Sequence, residues 1–239
     1  VSIHLVGGGR ADTLDDPGYA GEIYRPFIAE AAVRAAGAGR MLPRIRIVLV
    51  DGDAEMWASL MKRAAACDPV VTELEEGGSL SSGDLTDIDG LLVGGGLTPA
   101  YYAAVIPLAD EIRLLVQDGL PYLGFSAGAA IAADTAILGG WKIGDLAIAS
   151  DAVGEDLEEL TVAEGLALVD VAIDVHAAQW GTLTRLIAAT EAGMVEGGIA
   201  IDEFTLLVVG DDGFRVEGAG NVWQVEPTDD GSVVRLLGA

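Results

Sequence analysis

The 239 residues include 38 aspartates and glutamates against 13 lysines and arginines, a formal net charge of −25, and 51% of the chain is hydrophobic. That apolar content excludes a disordered chain and fits a single α/β domain, residues 1–239, with a large core. The charge argues against nucleic acid or an anionic membrane as a partner, because both require positive surface. A solvated acidic surface is the simple reading of it, and attraction of cationic substrates is a second. No apolar run is long enough, uninterrupted by charge, to cross a bilayer. Val1–Gly9 reads as a first strand and lacks the basic n-region of a signal peptide. The lone Cys67 cannot form an internal disulfide, and no cysteine cluster suggests zinc. A cytoplasmic protein is expected.

In chain order, Ser2–Val6 is a short strand that ends in Gly7-Gly8-Gly9. A polar loop, Arg10–Gly21, leads to an amphipathic helix over about Glu22–Ala36. The β-branched run Arg44–Val50 is a strand ending at Asp51-Gly52-Asp53, followed by a helix over Ala54–Ala66 and a strand over Pro69–Leu74. Glu76–Gly83 is a loop, and Asp87–Val93 is a buried strand ending in Gly94-Gly95-Gly96. Thr98–Gln117 is a helix with a bend expected at Pro107. Strands alternating with helices, with glycine-rich turns at strand ends, predict a parallel sheet covered on both faces. Ligands bind such sheets beyond the carboxyl ends of the strands.

Pro121–Ala130 then reads as a buried strand, the turn Gly124-Phe125-Ser126-Ala127-Gly128, and an alanine-rich helix. That is the strand–turn–helix setting of a nucleophile elbow, in which small neighbours let a serine take strained backbone angles and project above the sheet edge. A tight turn with a serine that only caps the helix is the simpler alternative. Further on, Ala136–Trp141 and Leu146–Val153 are short strands or loops, and Asp151–Glu164 is an acidic, exposed segment. Val169–Val175 is a strand ending at His176, with a helix at about Trp180–Glu191. The tail is β-rich, with short strands over Val195–Ile201, Thr205–Val209, Gly213–Val216, Val222–Glu226 and Ser232–Leu237. It offers a surface for a homodimer.

A serine hydroxyl needs a base, and the base needs an orienting acid. Of the two histidines, His4 lies within the first strand, about 10 Å below the ligand edge at about 3.3 Å per residue, and reads as a core or edge residue. His176 ends a strand, where a base belongs. The acid is open among Asp202 and Glu203, just after a strand, Asp174, and Asp134. An oxyanion hole needs two N–H donors; Ala127, directly after the serine, supplies one and the Gly94–Gly96 turn, at Gly95 or Gly96, the other. Gly7–Gly9 reads as structural.

Taken together, the Gly94-Gly95-Gly96 turn, the Gly124–Ala129 elbow, Ile173-Asp174-Val175-His176 with Arg185-Leu186, and Gly198–Thr205 resemble, in order, the S51 serine peptidases, which include aspartyl dipeptidase (peptidase E) and cyanophycinase. The resemblance runs from the first strand to about Val209. It implies a flavodoxin-like, class I glutamine amidotransferase-like fold, a three-layer sandwich on a parallel sheet. It also implies Ser126 as nucleophile, His176 as base and Glu203 as orienting acid. The order serine, histidine, acid differs from the serine, acid, histidine of α/β-hydrolases.

The chain departs from the family pattern on the substrate side. Leu97 stands where an asparagine or aspartate is usual, Ala177 replaces an aromatic, and Gln179-Trp180-Gly181-Thr182 replaces a segment with arginines. Leu97, Gln179 and Trp180 are therefore expected substrate contacts, and Arg185, the one remaining nearby cation, a ligand for a substrate carboxylate. Neither an N-terminal aspartate nor an aspartate-backbone polymer is implied as the substrate. The expected function is hydrolysis of small peptides through an acyl-enzyme, without metal or organic cofactor. Hydrolysis of another amide or an ester, as in cyanophycinases, and a non-catalytic ligand-binding role are the alternatives.

Overall fold

The computed structural model describes residues 2–9, 17–210 and 213–237. Strands β1 (Ile3–Val6), β2 (Arg44–Val50), β3 (Asp68–Leu74), β4 (Gly90–Val93) and β5 (Tyr122–Phe125) pair in parallel in the order β1-β5-β4-β2-β3. Side-chain alternation gives each strand two apolar faces. In β2, Ile45, Ile47 and Leu49 enter one core and Val48 and Val50 the other. A sheet buried on both sides must be covered on both sides. Helices α1 (Pro17–Gly37) and α2 (Ala54–Ala64) cover the first face, and α3 (Thr98–Val105) and α4 (Ala109–Gln117) the second.

Local chemistry accounts for several boundaries. The Asp53 carboxylate accepts the Met56 N–H at 2.8 Å and caps α2, so Asp51–Asp53 is a strand end plus a helix cap. The expected loop over Arg10–Gly21 is helical from Pro17 onward, while residues 10–16 lie outside the described residues. Proline suits the first helical position because its missing N–H would find no partner there. The expected bend at Pro107 is a 3₁₀ turn, Ile106–Leu108, between α3 and α4. Inside β1, His4 is fully buried, with Nε2 3.3 Å from Glu30 of α1. It is a core residue.

The second half departs from a simple alternation. Helix α5 (Ala127–Ala130) is a single turn, because the carbonyls of Ile131, Ala132, Ala133 and Asp134 are taken by the N–H groups of residues 165–169. Two small antiparallel pairs follow, β6 (Thr135–Gly139) with β9 (Thr161–Glu164), and β7 (Lys142–Ile143) with β8 (Leu146–Ala147). Strand β10 (Ala172–Val175) lies outside the central sheet. It joins β11 (Gly198–Ile201), β14 (Val222–Thr228) and β15 (Gly231–Leu237) in a second sheet, β10-β11-β14-β15. Strands β12 (Thr205–Gly210) and β13 (Gly213–Gly218) extend the central sheet from the free side of β1, both antiparallel, to seven strands. The β-rich tail is thus divided between the two sheets. Among the described residues no helix is long and apolar enough to cross a membrane.

Candidate active site

The site forms where β1, β5 and β10 end together. Ser126 follows β5 with φ 51° and ψ −108°, in a region that side chains rarely occupy. Small neighbours permit the turn. A Cβ on Gly124 would stand 2.4 Å from the Gly128 carbonyl oxygen, and one on Gly128 2.2 Å from the Val93 oxygen. His176 follows β10 in the left-handed conformation (φ 57°, ψ 34°). Its Nε2 lies 2.8 Å from Ser126 Oγ, and its Nδ1 lies 2.7 Å from Glu203 Oε1. The bond to an ionised Glu203 places the ring proton on Nδ1 and leaves Nε2 free to accept the serine hydroxyl.

Three consecutive carbonyls at the end of β1 hold this arrangement. Val6 O accepts the Ser126 N–H at 2.9 Å, Gly7 O the His176 N–H at 3.0 Å, and Gly8 O the N–H of Phe204, the residue after Glu203, at 2.8 Å. The contacts leave no room for side chains. A Cβ on Gly8 would stand 2.1 Å from His176 Cε1, and Gly8 also has φ +101°. The Gly7–Gly9 turn, expected to be only structural, is therefore the cradle of the imidazole. A triple glycine at a strand end was the available signal, but nothing local connects it to His176.

Glu203 is the acid on the imidazole, and the other candidates are engaged elsewhere. The Asp202 carboxylate accepts the N–H groups of Ala178 and Asn221 and the indole N–H of Trp223. Asp134 is exposed and accepts the Thr135 N–H. Asp174, almost wholly buried, is paired with Arg185.

That pair corrects the expectation for Arg185. Its side chain is buried and turned away from solvent, with Nε 2.9 Å and Nη2 2.6 Å from the two Asp174 oxygens and Nη1 2.9 Å from Val153 O. A guanidinium with these partners is committed to the fold and cannot reach a substrate carboxylate. It ties helix α7 (Leu183–Glu191) to β10 and to the wall of the adjacent cavity. Gln179, exposed in the turn after His176, accepts the Glu203 N–H at its Oε1 at 2.8 Å.

A cavity of about 720 Å³ opens above Ser126 and His176. Gly95, Gly96, Leu97 and Trp180 line it, as expected, and Ala127 is buried directly behind the serine. Gly95 presses close enough that a Cβ would stand 2.8 Å from Ser126 Cβ. Among the described residues, no acceptor takes the N–H of Gly95, Gly96 or Ala127. Sequence reasoning missed the far wall, formed by Trp141 and residues 151–158. Asp151, Glu155, Asp156 and Glu158 lie along it; Glu158 is paired with Lys142 at 2.6 Å, and among the described residues no lysine or arginine lines the cavity itself. The density of acids in so short a run was the signal, but an acidic run by itself reads as exposed. Glu155 accepts the Thr98 N–H at 2.9 Å, which ties this wall to the start of α3. Burial pushes the Glu155 carboxyl up, against the pull of that bond.

Burial also lowers the His176 pKa from the ordinary histidine value, and the bond to Glu203 works in the opposite direction. The ring is therefore neutral at neutral pH, the form that can accept a proton.

The sequence profile of peptidase family S51 matches residues 62–217, and the chain belongs to that family. Cyanophycinases of Synechococcus elongatus and of Thermosynechococcus vestitus are each 35% identical to it over 125 residues. That segment is 52% of this chain and 36% of each relative, so the match covers about a third of the length of these curated proteins. A cyanophycinase of Trichormus variabilis matches at the same identity, over 39% of its length. The crystal structure of a peptidase from an acI-B1 Actinobacterium has the same fold, with a TM-score of 0.59 at 16% identity over 100% of this chain and 95% of that one.

Two outcomes follow from the geometry. Arg185→Met strands a buried Asp174 charge and is expected to cost about 3–5 kcal/mol in urea unfolding, while Asp174→Leu combined with Arg185→Met recovers most of the loss. Equal losses in single and double variants contradict the pairing. Gly8→Ala is expected to drive the imidazole off Ser126. With only two histidines in the chain, the ring resonances of His176 are resolvable by NMR, and an unchanged His176 spectrum contradicts the cradle.

Proposed function

We propose that the protein is a serine peptidase that hydrolyses small peptides. The observation that carries the reading is the continuous hydrogen-bonded chain from Ser126 through His176 to Glu203, opening onto a cavity of limited volume. Ser126 Oγ attacks the carbonyl carbon of the scissile amide as His176 Nε2 takes the hydroxyl proton. The imidazolium that forms is balanced by Glu203, hydrogen-bonded to Nδ1. The developing oxyanion is received by the N–H of Ala127 and that of Gly95 or Gly96, which have no other acceptor among the described residues. His176 then protonates the leaving amine, the amide C–N bond breaks, and water, activated by the same imidazole, releases the acyl group from Ser126.

Asp151 and Asp156, which pair with no lysine or arginine among the described residues, support a substrate that turns a positive group toward the far wall of the cavity, because an excess of one sign of charge in a cleft concentrates the opposite sign. The loss of Arg185 as a surface cation removes the one ligand expected for a substrate carboxylate. A second reading, a cyanophycinase, is favoured by the relatives that bear that name.

The test is a library of dipeptides and short peptides, with cyanophycin alongside, incubated with wild type and Ser126→Ala. Cleavage by wild type and a loss of at least about 10³-fold in the variant are expected, with basic residues enriched among the cleaved peptides. Cleavage that survives in Ser126→Ala, or none by either protein, rejects the reading. Cleavage of cyanophycin alone selects the second one.

The pH dependence has a definite sign. His176 must be neutral to act as base, and its pKa lies below 6.5, so kcat/KM is expected to hold through neutral pH and fall only as acid protonates the ring. Glu203→Gln removes the interaction that raises this pKa and is expected to move the acid limb further down. A limb above 6.5, or one that rises in the variant, contradicts this assignment.

A further inference from the structure

The turn after His176 holds a contact that neither the relay nor the cavity accounts for. Helix α6 (Ala177–Trp180) is one turn long, flanked by His176 and Gly181, both left-handed. The Trp180 N–H donates to His176 O at 2.8 Å, which brings residue i+4 back over residue i. The indole then lies flat on the imidazole, with ring centroids 3.7 Å apart and planes 6° from parallel. Trp180 also lines the cavity and is 44% exposed.

The histidine is held from three directions. Ser126 and Glu203 fix the ring in its own plane through Nε2 and Nδ1, and Gly8 abuts Cε1. Neither hydrogen bond resists tilting of the ring about its long axis; a flat aromatic surface does. The indole face is also a region of negative potential, which attracts a cation once the face is desolvated. During turnover this ring becomes a cation once it has taken the serine proton.

We propose that Trp180 is a positioning residue for His176, which fixes the plane of the ring and stabilises its protonated form through the indole face. The inference rests on the reading of His176 as the base. The charged groups that act on this ring besides Trp180 are Glu203 and Asp174, which favour its protonated form, and Arg185, which opposes it. All three are held by bonds that do not involve Trp180, so they stay in place when it is replaced.

The experiment compares Trp180→Leu, which keeps apolar cover but has no π face, with Trp180→Phe, which keeps a smaller face. In Trp180→Leu, kcat is expected to fall about 3- to 30-fold with KM within about 3-fold, and the His176 pKa measured by NMR to move down by about 0.4–1.5 units. Trp180→Phe is expected to recover part of both. A third readout is independent of turnover: an imidazolium stacked on an indole quenches its emission, so wild-type tryptophan fluorescence should step at the His176 pKa. The step should vanish in Trp180→Phe and in His176→Asn. A rise in KM at constant kcat, with the His176 pKa unmoved, overturns the proposal and leaves Trp180 a substrate contact only. If wild type cleaves nothing, the peptidase reading fails, and the pKa shift and the fluorescence step still decide whether the indole stabilises the imidazolium.

Discussion

Three neighbouring backbone carbonyls, those of Val6, Gly7 and Gly8, hold the functional groups of this protein in register. They accept the N–H groups of Ser126, His176 and Phe204 in turn. Each of these residues has a positive φ, between 51° and 57°, a conformation that costs of order 1–3 kcal/mol and persists only when surrounding structure imposes it. The strand end imposes it three times over. β1 is an interior strand of the seven-stranded sheet, paired on both sides by β12 and β5, so the anchor is itself held on both edges. Close approach is what makes glycine necessary there. Gly7 carries its neighbours to within 2.1 Å of where a Cβ would sit, and so does Gly8.

A second constraint joins the second sheet, α7 and the cavity wall. Arg185 and Asp174 are both buried, and such a pair stabilises less by attraction than it penalises any arrangement that separates it. Its geometry sets β10, α7 and the carbonyl of Val153 relative to one another. The acidic wall is thereby held at a fixed distance from the histidine, and Glu155 fastens its other end to the start of α3 through Thr98. The four-residue turn at Ala177–Trp180 completes the support, with Gln179 on the Glu203 N–H and Trp180 on the imidazole.

What the sequence discloses follows the range of the interactions. The elbow around Ser126 and the break at Pro107 depend on residues a few positions apart, and their chemistry is readable in place. The two-faced burial of β2 and β4 is likewise legible from the apolar runs Ile47–Val50 and Leu91–Val93. The membership of β10 in a second sheet is not, because a strand's partner is chosen by packing across long sequence separations. Arg185 illustrates the same limit. Its position near His176 suggests a substrate ligand, but its nearest charge is Asp174, eleven residues earlier, and burial of both decides its role. Gly8 and Trp180 touch His176 from opposite ends of the chain and from the next turn, and only the fold reveals either contact. The acids at 151–158 look solvated in sequence because an acidic run usually is; here one side of the run borders a cavity.

The central claim is that the relay from Ser126 to Glu203 makes the serine hydroxyl a nucleophile. The most direct measurement is the rate at which a fluorophosphonate labels the protein at neutral pH, with the modified residue located by mass spectrometry. The account predicts a single adduct, on Ser126, formed at least about 10²-fold more slowly when His176 is replaced by glutamine. No adduct on Ser126, or labelling that is indifferent to His176, would contradict it.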